Sequence, residues 1–405
     1  QSASLGQVCL ARCAPEPAPS DADLLAFERA RTAGTAESWD RYLQAFPQGR
    51  YAKIATNERG RILAPTSAGA TPTPAPVTST PLAIGVIASP GESIHEIASL
   101  ARSHAAQPNQ YFVVDLPSAS QAASVVERLK LQRVAAIINL TGEPVLSAVV
   151  NAARAQRIPV LTTVGEIAGD GVYNFARSQA DEVESLVVAA VAKGVRRLAV
   201  VGPNAPDNVR AHAAFVAART RLGLPVSESL LYAPGAASSV EAFVRRIGAI
   251  DGLIVLDAAA DLPALATALE RSGVDFSRTR LLGTSVWATS PPRAAVFQGA
   301  WFVATGDDAG FEQRARAYMN RSPTPLDRSV YNLMALSLFL SQADGTVSTA
   351  AVTRLDGFVG VDGLFRFKSD GRVERRYDLR QIGAQGSTSI ITPAAPRFTP
   401  ATTQP

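Results

Sequence analysis

TRLDGFVGVDGLFRFKSDGRVERRYDLRQI, residues 353–382, is the stretch whose reading decides the fold. Leu364 to Ile382 reads as two strands joined at Ser369-Asp370-Gly371-Arg372, because Asp-Gly supplies the positive φ angles that a tight hairpin turn needs. A late antiparallel hairpin after a long series of strand–helix units is unusual for one doubly wound sheet. It suits a two-lobed molecule whose chain returns to the second lobe near its end, and it points toward binding rather than catalysis.

Upstream of the hairpin, apolar strands are expected at 82–88, 111–115, 134–139, 158–163, 197–202, 227–232, 252–257, 280–285 and 299–304. Helical segments at 93–106, 119–130, 144–156, 178–193, 207–222, 237–248 and 261–272 alternate with them. This is the pattern of an α/β protein with parallel sheets. More than eight strands favour two doubly wound lobes over one continuous sheet. The expected crossings between lobes are Asn174–Arg177, Gly283–Ser285 and Phe358–Gly363, which should then lie side by side.

Four further segments flank this 82–385 domain: a flexible start (1–19), a helical module (20–63), a linker (64–81) and a flexible tail (386–405). In the module Ser20 is a good helix N-cap, and Leu24, Leu25, Phe27, Trp39, Tyr42, Leu43, Phe46, Tyr51 and Ile54 form an apolar face interrupted at Pro47-Gln48-Gly49. Those aromatics glue two short helices together or present a docking surface. The linker APTSAGATPTPAPVTSTP carries five prolines among Ala, Thr and Ser and favours an extended, protease-sensitive chain.

Composition excludes several classes. The 39 Lys and Arg against 35 Asp and Glu alternate in sign along the chain instead of forming a basic block, which argues against nucleic-acid binding. No apolar run approaches the ~18 residues needed to span a bilayer, and the longest helical candidate, Val330–Leu340, is interrupted by Asn332 and Ser337. Because residue 1 is Gln, the numbering is expected to begin after processing or at a chosen boundary. Cys9 and Cys13 are spaced too widely for a thioredoxin-like pair and lack a second pair for zinc; a local disulfide stays open. Neither lies in a lipobox.

No catalytic constellation, cofactor motif or metal cluster is evident. His95, His104 and His212 are scattered over helices, and the chain has no G-x-S-x-G elbow, no phosphate loop and no H-E-x-x-H. Gly85-Val86-Ile87-Ala88-Ser89-Pro90-Gly91 lacks the full dinucleotide spacing. A non-enzymatic protein is expected.

Residues 82–385 resemble the type I periplasmic binding-protein superfamily, and more narrowly the penicillin-binding-protein activator family. The resemblance is carried by Gly171-Val172-Tyr173-Asn174-Phe175-Ala176-Arg177-Ser178, Lys193-Gly194-Val195-Arg196-Arg197-Leu198, Leu282-Gly283-Thr284-Ser285-Val286-Trp287 and Gly299-Ala300-Trp301-Phe302. Gly360-Val361-Asp362-Gly363-Leu364-Phe365-Arg366-Phe367, Asp370-Gly371 and Ala395-Pro396-Arg397-Phe398 complete it, in the same order. It implies a two-lobed fold and a periplasmic or envelope-associated location. The first expectation is a protein acting through contacts with an envelope partner, as regulator or scaffold of peptidoglycan synthesis. The alternative is a transporter's solute receptor for a small polar ligand such as an amino acid.

In such a fold, strand ends of two lobes face one crevice where backbone amides meet a polar ligand. The loop Ser89-Pro90-Gly91-Glu92-Ser93 is the best anion-facing candidate, through Ser89, Gly91 and Ser93, although Ser-Pro-Gly also simply starts a helix. Thr141, Thr162, Thr163, Asp257 and Ser285 fall at strand ends, and Asn174 and Arg177 at the first crossing. Asp257 equally reads as a helix cap. Amino-acid receptors of the superfamily usually place an acid where this chain has Ser285, and tyrosines where it has Pro203–Asn208 and Asp257–Asp261. Tight binding of leucine, isoleucine or valine is therefore not expected, and Trp287, Trp301 and Phe302 stand as aromatic candidates for surface recognition, with one of Trp301 and Phe302 in the core.

Overall fold

The structure is a computed structural model. It describes residues 8–9, 26, 30, 35–47, 52, 55–56, 59, 83–90, 94–105, 110–256, 262–306, 308–344 and 347–398. The chain divides into two compact units, Arg12–Thr80 and Gln1–Ala11 with Pro81–Pro405. Linker 64–81, Ser20 and Cys13 lie outside the described residues.

In the smaller unit, helix α1 (Ala36–Ala45) starts from a reciprocal cap: Ser38 N–H donates to the Thr35 hydroxyl and Thr35 N–H to the Ser38 hydroxyl, each at 3.2 Å. It ends at Phe46, before Pro47. Trp39 and Tyr42 are buried with Ala30 and Ala55, so these two aromatics pack inward.

The larger unit holds two lobes. In lobe 1, β2 (Ala83–Ala88), β3 (Tyr111–Asp115), β4 (Val134–Asn139), β5 (Val160–Thr162) and β6 (Val172–Asn174) form a parallel sheet in the order β3-β2-β4-β5-β6. β2 and β4 are buried along their whole length because helices cover both faces, which is why they read as unbroken apolar runs. α2 (His95–Ser103) lies over one face, and α3 (Ala122–Leu131) and α4 (Val145–Ala155) over the other.

Lobe 2 begins with α5 (Gln179–Ala192). Its sheet contains β7 (Leu198–Pro203), β8 (Ser229–Tyr232), β9 (Gly252–Val255), β10 (Arg280–Gly283) and β11 (Trp301–Ala304), all parallel, in the order β11-β10-β9-β7-β8. α5 and α6 (Pro206–Arg221) cover one face; α7 (Ser239–Arg246) and α8 (Leu262–Arg271) cover the other, near the short α9 (Val286–Thr289). The chain then returns to lobe 1 as α10 (Ala309–Met319), α11 (Pro325–Asp344) and α12 (Thr349–Val352). β12 (Phe358–Gly360), β13 (Gly363–Phe367) and β14 (Val373–Arg375) follow, with β1 (Val8–Cys9) parallel beside β12. Finally β15 (Asp378–Ile382) and β16 (Thr388–Thr392) extend the lobe 2 sheet antiparallel.

Three expectations need correction. Leu364–Ile382 is not one two-stranded hairpin. The turn at Ser369–Arg372 forms, with Gly371 at φ +79°, but β14 stops at Arg375, and β15 belongs to the other lobe. Arg375 causes the break: its guanidinium donates to the carbonyls of Phe175 (2.6 Å) and Ala176 (3.3 Å) and stacks over the Phe175 ring, drawing the chain to the hinge.

The crossings are the second correction. The first lies at Phe175–Ser178, as expected, but the others fall between Ala304 and Asp308 and at Arg376–Tyr377. Gly283–Ser285 merely ends β10 and enters α9, and Phe358–Gly363 is the turn region of a hairpin within lobe 1. Two of the expected segments, Asn174–Arg177 and Gly283–Ser285, nonetheless meet at the hinge. Asn174 N–H donates to the Gly371 carbonyl (2.8 Å), Arg380 to that of Thr305 (3.3 Å), and Arg177 to Thr284 Oγ1 (3.4 Å). Phe175 packs on Phe365 with ring centres 4.8 Å apart.

The ends are the third. Val8–Cys9, within the segment expected to be flexible, pairs with Phe358–Val359. In the expected tail, Thr388–Thr392 pairs with β15, and Phe398 is 7% exposed between Arg366 and Arg376. Its proline and threonine content concealed an edge strand, a position that tolerates them.

Candidate functional site

The strand order reverses in each lobe between two adjacent strands, β2 and β4 in lobe 1 and β7 and β9 in lobe 2. Ligands of open α/β sheets lie outside the carboxyl ends at such reversals. Beside the first crossing, a cavity of about 170 Å³ is lined from lobe 1 by Gly165, Glu166 and Arg372, from the crossing by Asn174 and Arg177, and from lobe 2 by Asp207 and Arg210.

The crossing supplies the rigid floor. Asn174 is nearly buried; its amide donates to the carbonyls of Gly165 (2.9 Å) and Ile167 (3.2 Å), and its oxygen accepts from Ala176 N–H (2.8 Å). It thereby fixes the loop that carries Glu166. That carboxylate lies 3.0 Å from Arg210 of lobe 2 and 3.6 Å from Arg372 at the hairpin turn. One carboxylate thus joins two guanidinium groups across the lobes, while Arg210 also pairs with Asp207.

Behind it, Arg177 makes a forked pair with Glu182, at 2.7 and 3.0 Å. Glu182 is 1% exposed and also accepts from the Ser285 hydroxyl (2.7 Å) and Ser285 N–H (3.0 Å). Burial alone would lower the Arg177 pKa, but Glu182 outweighs it and the net direction is upward. Asp181 is pushed above the usual carboxylate range, chiefly by burial and against the pull of Lys368.

Among the candidate residues, Asn174 and Arg177 line the cavity, and Ser285 stands one hydrogen bond away through Glu182. Thr141 is bonded to Asn139 (2.9 Å) and Thr162 to Val164 (3.2 Å), both buried. The Thr163 hydroxyl is buried without a hydrogen-bond partner. Ser89 follows β2 and is half-buried, while Gly91, Ser93 and Asp257 lie outside the described residues. Glu166, Glu182, Asp207 and Arg210 went unread in the sequence. The Gly165-Glu166 step and the Asp207/Arg210 spacing of three residues in a first helical turn were the available signals.

The aromatic candidates are corrected too. Trp287 is fully buried, against Phe297 and Phe302 with ring centres at 5.4 and 6.4 Å, and offers no surface. Phe302 is core, as the strand alternation requires of one of the pair, and Trp301 lies half-buried beneath Arg280. His104 Nδ1 lies 2.8 Å from the Tyr331 hydroxyl, and among the described residues no His, Cys, Asp and Glu group has metal-holding geometry.

The sequence profile of the periplasmic binding protein family matches residues 114–387. The chain belongs to that family. Solved structures of like fold are described as solute-binding or ligand-binding proteins of ABC transporters. A putative branched-chain amino acid ABC transporter protein from Rhodospirillum rubrum is similar at TM-score 0.67 and 16% identity, over 76% of this chain and 99% of that one. The periplasmic ligand-binding protein of a branched-chain amino acid ABC transporter from Burkholderia xenovorans LB400 gives 0.61 and 16%, over 79% and 96%. A solute-binding protein of R. palustris in complex with 4-hydroxybenzoate gives 0.55 and 15%, over 78% and 98%. No curated protein matches the sequence. These likenesses overturn the first functional expectation: the fold's neighbours are transporter receptors, and neither a scaffold role nor peptidoglycan regulation finds support among them. No helix among the described residues is long and apolar enough to cross a membrane.

Proposed function

We propose that the chain is a periplasmic solute receptor of a membrane transporter, closing its lobes on a small carboxylate-bearing ligand. The observation that carries this reading is the Glu166 carboxylate held between Arg210 and Arg372 in the cavity at the lobe junction. Two guanidinium groups from opposite lobes form a carboxylate clamp. Exposed ion pairs of this kind are worth about 0–1 kcal/mol each. A ligand carboxylate therefore displaces Glu166 at little cost and ties the same two arginines together. Neighbours of this fold are described as acting on branched-chain amino acids and as holding 4-hydroxybenzoate, and both solutes carry a carboxylate. Asn174 and Arg177 serve as positioning residues of this site, with Ser285 supporting Arg177 through Glu182.

An ammonium group finds less here. Glu182 is neutralised by Arg177 and Asp207 by Arg210, while Asp181, in the helix that Ser178 caps, is pushed by burial toward its uncharged form. Desolvating an ammonium without a free carboxylate is costly. Calorimetry with 4-hydroxybenzoate and leucine tests the reading: the first should bind at least tenfold more tightly, and Arg210→Gln should weaken it by a further tenfold. Equal or tighter binding of leucine would overturn the ligand class. Absence of binding by any small solute, with unchanged small-angle scattering, would overturn the receptor reading itself.

A further inference from the structure

A second cavity, of about 510 Å³, meets the first at Asp181 and lies between α5 and α6 of lobe 2 and the β13–β14 hairpin of lobe 1, bordered by Tyr377 of the third crossing and Ala395. The proposed receptor role uses none of its other residues. Its charged lining comprises four cations, Arg221, Lys368, Arg375 and Arg376, against three carboxylates. Among the described residues, only Arg221 of these four has a carboxylate partner closer than 3.5 Å, Glu184 at 2.6 Å. Glu374 is taken by Arg366 at 2.7 Å and leaves Arg376 at 3.7 Å; Lys368 lies 3.7 Å from Asp370 and also pulls on Asp181.

The donors are also under-used. Arg376 Nε is buried with no hydrogen-bond partner, and among the described residues the Tyr377 hydroxyl has none either. Burial raises the Tyr377 pKa, so its hydroxyl stays protonated and remains a donor. Arg375 spends its guanidinium on two backbone carbonyls, which leaves its charge without a forked carboxylate. The wall therefore carries one more cation than carboxylate and offers the Arg376 N–H and the Tyr377 O–H as unpaired donors, groups that complement an oxyanion.

We infer that this cavity binds a small organic oxyanion, carboxylate or phosphate in chemistry, whose occupancy is coupled to lobe closure. The coupling follows from the walls: Lys368 moves with lobe 1, Arg221 with lobe 2, and Tyr377 sits on the strand crossing between them. A rotation that narrows the front cleft changes the spacing of these groups, so an anion bridging them has different affinity for the two arrangements.

Citrate and inorganic phosphate serve as probes in calorimetry on the full chain. Citrate, with its several carboxylates, should bind more tightly than phosphate. Lys368→Gln and Tyr377→Phe, neither of which removes packing, should each weaken citrate binding by about threefold and together by about tenfold, equivalent to ~1.4 kcal/mol. Arg210→Gln, which disables the front clamp, should change it less than the double variant does and so separates the two cavities. Citrate binding that vanishes in Arg210→Gln but survives in the Lys368 and Tyr377 variants overturns the proposal. So does absence of citrate and phosphate binding at millimolar concentration. Bound citrate without any change in small-angle scattering overturns the coupling.

Discussion

Gly371 is the residue on which the hinge turns. It sits at φ +79° in the Asp-Gly turn, and its carbonyl accepts from Asn174 N–H at the first crossing. A Cβ there would overlap the Val172 carbonyl oxygen and the Gly169 amide nitrogen, backbone atoms that cannot step aside like the end of a flexible side chain. Gly371→Ala should therefore cost about 2 kcal/mol or more, combining a left-handed backbone with this collision. Calorimetric Tm decides it: a loss as small as that of Gly223→Ala, whose Cβ would meet open space, would show that the turn moves freely. Glu182 makes the complementary case. Arg177→Gln leaves a carboxylate that is 1% exposed with hydroxyl and amide donors but no cation. Breaking one side of a buried pair costs about 3–5 kcal/mol; since the Arg177 side chain is partly exposed, the lower end is expected, read as a shifted urea midpoint.

At the scale of elements, α11 shows what patterning reveals and what it hides. Its apolar run is legible, and Val330, Leu333, Met334 and Leu336 do enter the lobe 1 core. Asn332 and Ser337, read as interruptions, are fully buried; Asn332 accepts from Val361 N–H (2.9 Å) and so pins the turn after β12. Its cap is a second device: Asp327 accepts from Thr324 N–H (2.7 Å) and takes both arms of Arg321 (2.6 and 3.0 Å). Burial alone would raise the Asp327 pKa, but Arg321 and Thr324 outweigh it and hold it below the usual 3.8. The folded state thus favours the ionised form. Its stabilisation is present above about pH 4 and is lost as pH falls through the depressed value. Asp327→Asn should cost about 1–3 kcal/mol at neutral pH. The gap between variant and wild type should shrink as the urea midpoint is followed downward from pH 4; a constant gap would show that charge is not involved.

Most of the strand and helix order in 82–304 was readable because the buried strands are apolar runs and the covering helices have one apolar face; β6, three residues long, and α9, four residues long, were missed. The first crossing was readable too, but the second and third were not: at the third, the only mark in the sequence is the short polar run Glu374-Arg375-Arg376, which a single strand can also carry. The site was half legible for a similar reason. Asn174 and Arg177 stand at a crossing that the sequence marks, but Glu166, Arg210 and Arg372 become neighbours only once two lobes and a late hairpin are folded together.

The whole molecule has a further tie between its lobes. Beyond β16, Ala394 N–H donates to Asp378 (2.8 Å), and four residues later Phe398 lies against lobe 1. There it is sandwiched by Arg366 and Arg376, 4.3 and 4.5 Å from its ring centre, and packs beside Gly357. The last described residues thus form a strap running from the lobe 2 sheet to the lobe 1 hairpin. Two stacked guanidinium contacts are worth about 1–2 kcal/mol together, and such a bias shifts a two-state lobe equilibrium by about tenfold. Phe398→Ala should accordingly broaden the distribution of lobe separations in small-angle scattering and alter the affinity of any cleft ligand by up to that factor. Phe398→Trp, which keeps a face for both arginines, should restore both readouts. If Phe398→Ala lowers Tm while scattering and affinity stay as in the wild type, the strap is packing alone and the three covalent crossings set the motion by themselves.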